Sequence, residues 1–341
     1  MAKAGAQLLA TDVRFNANPE SKPIQKYRFR NKFAPGHHGI RLNEISSPMM
    51  HRVQLLSTFM DLYLPKQIDK DLTSHFQYIA RLPDVDLSTP LLQTAIDTVC
   101  LAELGSLYDD PRCLHEAQAR YVRALPMLAN ELARPRAEQM RKDHILAAIN
   151  VLAVCELFDL IASDTSGGQG WMSHVTGAEG YIKSNIRDIM ASEFGQMLFH
   201  ANRNSSLCLG LVKRKAIFFA GPQWLRWSED IAKEDLLVAF YDIAVQIPGL
   251  LEQSDTLNTS VDQFIDPAPL CEEICGVRRK LDRWLEERFI HPGKERYSII
   301  DVRDMKEYSL LSSNSLFTTV YKFNSVQVCI LHQFVSKQRD A

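Results

Sequence analysis

The reading of the fold turns on "ILAAINVLAVCELFDLIA", Ile145 to Ala162. It approaches the roughly 20 apolar residues that a bilayer-spanning helix needs. Asn150, Glu156 and Asp159 interrupt it, however, and polar groups of that kind are costly in lipid. An apolar run of helical length with a few polar breaks is the central helix of a bundle, covered by neighbours on most sides. No membrane span is expected.

Outward from that run, the chain announces one helix after another. "SSPMM", "STPLL" and "DDPRC" each set Ser, Thr or Asp directly before Pro. This is the order of a helix N-cap followed by its first residue, with caps at Ser47, Thr89 and Asp110. After Pro48, Val53, Leu56, Met60 and Tyr63 recur at helical spacing, and "YLPK" stops that helix. After Asp110, Ala117, Tyr121, Leu125, Leu128 and Leu132 form one apolar stripe. Pro126 falls within it and is expected to kink or split the helix.

Asp143 opens the central helix, and "SDTSGGQG" closes it in a loop. Further helices are expected over about 171–189, 193–219, 233–251, 269–288 and 313–337. "YSIIDV", Tyr297 to Val302, is the one strand candidate. The fold class is therefore all-α, a single multi-helix domain over 45–341. Residues 1–44 stand apart as a mostly extended arm. Lys22, Lys26, Arg28, Arg30, Lys32 and Arg41 lie there with no acid between Ser21 and Asn43.

Composition limits the functional classes. The chain of 341 residues is 46% apolar and 23% charged with a net charge of −2, which gives no overall basic field for nucleic acid. Seven cysteines without dense spacing read as reduced thiols. With no signal-peptide core at the N-terminus, an intracellular protein is expected, cytoplasmic in the first place and nuclear in the second. No phosphate-loop, zinc-protease, paired CxxC or serine-elbow motif occurs, so no cofactor and no metal is expected. The glycines of "SGGQG" follow a helix and lack the strand–turn–helix setting of a nucleotide cradle. "CEEIC" puts Cys271 and Cys275 one helical turn apart; the expected reading is two thiols in a core rather than a metal pair.

Several segments in order carry a resemblance. They are "LPKQ" (64–67), "TPLLQTAIDTVCLAELG" (89–105), "ARYVRALPMLANEL" (119–132), "DHILAAINVLAVCELFD" (143–159) and "GWMSHVTGAEGYI" (170–182). "LFHANRNSSLCLGLVKRKAIFFAGPQWL" (198–225), "EDLLVAFYDIAVQIPGLLEQSD" (234–255) and "VRRKLDRWLEER" (277–288) follow. Over roughly 48–335 the chain resembles the helical regulatory domain of fungal zinc-cluster transcription factors. It departs from them in having no C-x2-C-x6-C repeat ahead of the domain, its first cysteine being Cys100. The agent of base readout is then missing, and sequence-specific DNA binding is not expected.

The resemblance implies two uses for such a body. One is a small-molecule protein of fungal secondary metabolism, binding an apolar terpenoid or polyketide and acting as a cofactor-free cyclase or isomerase. That chemistry asks for orientation and a few polar anchors. The other is a regulator working through a protein partner or as a homodimer. A closed aromatic cavity favours the first, and an exposed apolar patch the second.

The candidate anchors are His174, Arg203 and Tyr241. On a helix beginning near Trp171, residues Trp171, His174, Ala178 and Tyr181 share a face. His174 is either a proton shuttle or a core histidine bonded to a backbone carbonyl. Arg203, beside Phe199 and Leu207, asks for a carboxylate, with Glu179 or Glu193 as candidates, or else for a ligand anion. Tyr241 needs a partner if buried. Trp171, Tyr181, Trp224, Trp227 and Phe240 are the expected substrate-lining residues, with plain packing as the competing role.

Overall fold

Ile145–Ile149, Val151–Ala153 and Cys155 are all buried, so the central run packs on nearly every side. In the computed structural model this helix is α5, Lys142–Cys155. The structure describes residues 48–64, 75–85, 89–135, 139, 141–158, 168–259, 266–289, 297–301 and 319–323. The basic arm, the Ser47 cap and most of the 163–170 loop lie outside those residues.

The described helices are α1 Pro48–Tyr63, α2 His75–Arg81, α3 Pro90–Tyr108, α4 Pro111–Ala133 and α5. Then come α6 Gln169–Met190, α7 Glu193–Lys213, α8 Pro222–Leu225, α9 Glu229–Glu234, α10 Leu236–Ala244, α11 Ile247–Thr259 and α12 Ala268–Trp284. The all-α class expected from periodicity holds. α5 sits against α3, α6 and α7; α4 lies along α3, and α1 also packs on α3, with Arg52 of α1 and Arg120 of α4 both reaching Asp97. One hydrophobic cluster runs from Leu55 to Leu285, with a small satellite of Leu250, Leu270 and Val277.

The caps behave unequally. Asp110 accepts from the amide of Arg112 at 2.9 Å, an ordinary N-cap bond. Thr89 caps α3 by backbone only, and its hydroxyl is buried without a partner. α4 runs on through Pro126, so of the expected kink or split the split does not occur. Its buried face is Ala117, Tyr121, Ala124 and Leu128. Leu125 and Leu132, expected in the apolar stripe, are 39% and 43% exposed. At the 100° per residue of a 3.6-residue turn, Leu125 and Leu132 lie about 70° and 50° to one side of the line through 117, 121, 124 and 128, at the edge of the buried face. Val53 is likewise exposed, while Leu55 and Phe59 are buried in its stead.

Three expected helices differ in extent. α7 stops at Lys213 because Arg214 turns left-handed, φ 51°, instead of running on to Phe219. The 233–251 span is shared by three helices, α9 ending at Glu234. Asp235 caps α10 by accepting from the amides of Leu237 and Val238 at 2.8 and 3.0 Å, and α11 begins afresh at Ile247. Residues 319–323, expected within a helix, form strand β2 (Thr319–Phe323). β2 pairs antiparallel with the expected strand, β1 Tyr297–Asp301, from Tyr297↔Phe323 to Asp301↔Thr319. "TVYKF" is rich in β-branched and aromatic residues, and a strand partner outweighed the helical period read there.

Among the described residues one stretch, Leu236–Asn258, is long and apolar enough to cross a membrane by composition; 56% of its most apolar window is buried in the fold. It serves as core: Leu236, Leu237, Phe240 and Tyr241 join the main cluster.

Candidate functional site

α6 begins where Gly168 takes a left-handed conformation, φ 81°, which suits glycine and no branched residue. Two residues on, a Cβ on Gly170 would overlap the carboxylate of Glu156. The glycine-rich entry "GGQGW" therefore makes a turn and leaves room for an acid. Glu156 starts the 3-10 turn that follows α5, and its carboxylate rests against the first turn of α6. Free amides there favour a negative charge.

Tyr121, 3% exposed on the inner face of α4, donates its phenol to Glu156 Oε1 in a short hydrogen bond. The same phenol oxygen is 2.8 Å from Nε2 of His174, and the two rings meet edge to face with centroids 6.1 Å apart. Counting protons assigns the tautomer. The phenol has one hydrogen, which goes to Glu156, so the imidazole donates through Nε2–H and leaves Nδ1 as an acceptor. Burial pulls His174 down to about 4, which keeps the ring neutral near pH 7. Burial first, and then the bond to Glu156, push the Tyr121 phenol far above its ordinary value. A neutral base, a phenol and a carboxylate thus meet in one half-buried cluster.

Arg203 and Tyr241 belong to a second cluster. Arg203, on α7, is 1% exposed and pairs with Asp242 on α10 in a short ion pair. Ser228, fully buried, donates to the same Asp242 oxygen at 2.7 Å. The carboxylate expected for Arg203 is present but is Asp242, not Glu179 or Glu193. Glu193 pairs with Arg81 at 3.0 Å, and Glu179 keeps a buried oxygen with no partner. Burial lowers the Arg203 pKa and Asp242 opposes that; a guanidinium stays charged regardless. Tyr241 is buried close enough to feel that charge.

The expected aromatic lining is divided. Tyr181 is buried in the core, and Trp171 is half-buried one turn before His174. Trp224 packs edge-on against Phe218, whose ring lies 4.5 Å under the Lys183 ammonium. Trp227 is 37% exposed. Phe240 meets Tyr241 and Trp284, and the Trp284 indole donates to the Leu236 carbonyl at 3.1 Å. A depression of about 460 Å³ borders Asp242, lined also by Pro222, Leu225, Arg226, Glu229 and Lys233. Another, of about 310 Å³, lies between Arg81, Arg141, His144 and Phe194. Neither is lined by the expected aromatic residues.

Sequence reasoning missed Tyr121, Glu156, Asp242 and Ser228. In the sequence Tyr121 shows only as part of an apolar stripe, and Glu156 only as a break in the apolar run. An acid at the end of a fully buried helix needs a partner, and that was the available signal.

Two buried histidines make stability depend on pH. Burial, reinforced by the Arg203 charge, holds His200 at about 3, and neither of its ring nitrogens has a partner. Both rings take up a proton more readily unfolded, where the ordinary value is about 6.5. Stability is therefore complete above about pH 6.5 and falls as pH drops toward 4. The depressed carboxylates of Asp110 and Asp143 act only below about pH 4. The melting temperature is expected to decline between pH 6.5 and 4.5, and His200→Phe to flatten that decline. A wild-type profile flat over this range rules the account out.

No family profile matches the chain, and no solved structure matches it. It is similar to the uncharacterized protein AN5342 of Emericella nidulans, 28% identical over 174 residues, 48% of this chain and 36% of that protein. The chain thus covers little more than a third of that relative's length.

Proposed function

We propose that the chain binds an apolar small molecule beside Tyr121, Glu156 and His174 and moves a proton within it. Isomerisation or cyclisation of a terpenoid or polyketide skeleton is the reaction class. The observation that supports this is the phenol held between a carboxylate and a neutral imidazole. The resemblance to the regulatory domain of fungal zinc-cluster factors, and similarity to a fungal protein, favour a setting in fungal secondary metabolism and the cytoplasm. His174 Nδ1 takes a proton from the bound molecule, and Tyr121 holds the ring while Glu156 holds the phenol. The protonated ring exchanges that hydrogen with solvent and then delivers one to a second carbon, so in ordinary water the product has the mass of the substrate and in ²H₂O it gains one deuterium. A positioned base contributes about 10²–10⁴ in rate, and one as weak as His174 belongs at the lower end of that range.

A second reading has one observation of its own. Val122, Leu125 and Leu132 project from the outer face of α4, 59%, 39% and 43% exposed. This favours a regulator that docks a protein partner there.

One experiment separates them. The protein is incubated in ²H₂O with a whole-cell extract of the source organism, metabolites and proteins together, and bound and released molecules are resolved by mass spectrometry. A released isomer carrying deuterium, lost in His174→Ala and reduced at least about tenfold in Tyr121→Phe, supports the catalyst. A metabolite bound and released unchanged replaces the catalyst with a sensor. Retention of a protein and no metabolite, abolished by Val122→Asp, assigns the regulator.

A further inference from the structure

α12 presents two unlike faces. Leu270, Val277 and Trp284 are buried. Cys271 and Cys275 are both exposed, so the core position expected for them is overturned. The reason is register: 270, 277 and 284 repeat every seven residues along the inner face, and 271 and 275 fall off that line. Among the described residues the other thiols are enclosed. Burial pushes Cys100 and Cys155 well up and holds Cys208 at about 11, and Cys113 is half-buried.

Residues at i and i+4 lie on one helix face with Cβ atoms about 5–6 Å apart. Two thiolates so placed reach a common ion at metal–sulfur distances of about 2.3 Å. Among the described residues no group of three or more His, Cys, Asp or Glu is placed to hold a metal. The donor set among the described residues is therefore two soft sulfurs. Zinc asks for four ligands, whereas monovalent copper is satisfied by two and is selected by thiolate.

We propose that Cys271 and Cys275 form a surface site that chelates one monovalent copper ion between two thiolates. Each thiol releases its proton to solvent on binding, and no electron is transferred. The site is separate from the Tyr121–Glu156–His174 cluster and stands or falls independently of it.

The test is an anaerobic titration of the reduced full-length chain, in a Cys329→Ser background, with Cu⁺ buffered by a competing chelator such as bicinchoninate. One copper per chain is expected to be withdrawn from the chelator. Cys271→Ser and Cys275→Ser should each weaken capture by roughly 100-fold or more, the loss of an intramolecular second donor. Both positions are exposed, so unchanged far-ultraviolet dichroism should accompany the loss. Capture that survives in either serine variant overturns the proposal. So does the absence of capture, or binding of half a copper per chain in a dimer.

Discussion

Gly195→Ala is expected to destabilise the protein by about 3 kcal/mol or more, a drop of roughly 4–5 °C or more in melting temperature for a domain of this size. Gly195 is buried in the first turn of α7, where a Cβ would fall inside the carbonyl oxygen of Ile189 and 2.8 Å from its carbon. The obstacle is backbone, so no rotamer change relieves it. Only a two-residue turn, Ala191–Ser192, joins α6 to α7. Ser192 Oγ accepts from the Gly195 amide at 2.9 Å and donates to buried Asp143 at 2.7 Å, tying the turn to α5. Pushing α7 away therefore loosens three helices together. Gly177→Ala and Gly180→Ala are the controls: both sit in α6 with open space around an added Cβ. They should be neutral or stabilise by up to about 1 kcal/mol. Differential scanning calorimetry on the three variants decides, and equal melting temperatures would refute the packing account.

Asp242→Asn is expected to be as damaging, about 3–5 kcal/mol. It keeps the shape of the side chain and the approach of Ser228, but leaves the Arg203 guanidinium uncompensated at 2% side-chain exposure. Arginine cannot discharge itself as a buried lysine can. Removing the other partner is milder. Asp242 is 21% exposed at the edge of a groove, so in Arg203→Met its carboxylate regains water and keeps the bond from Ser228. The pair replaced together, Arg203→Met with Asp242→Asn, should be more stable than Asp242→Asn alone. Urea unfolding midpoints for the three variants check the asymmetry. Simple addition of the two single losses would mean that the pair is not coupled.

The candidate site was legible in halves. His174 stood out as a histidine on an apolar helical face, and Arg203 as a charge that could not be buried alone. Their partners did not stand out. Tyr121 is 53 residues from His174 and 35 from Glu156, and Asp242 is 39 from Arg203. Leu125 and Leu132 misled because an apolar residue beside the buried face looks like core until the neighbouring helix is placed. The cysteines of α12 misled for the same reason.

By itself the sequence determined the helical class, most helix starts, the central position of α5 and the need of Arg203 for an anion. Caps, prolines and the 3.6-residue period act within a few residues of chain, so they are written where they operate. Only the tertiary structure decided that Asp242 answers Arg203, that Tyr121 joins Glu156 to His174, and that residues 319–323 pair as a strand. Those outcomes depend on which helix faces and strand edges meet, and that is settled by burial of apolar area summed over the whole fold.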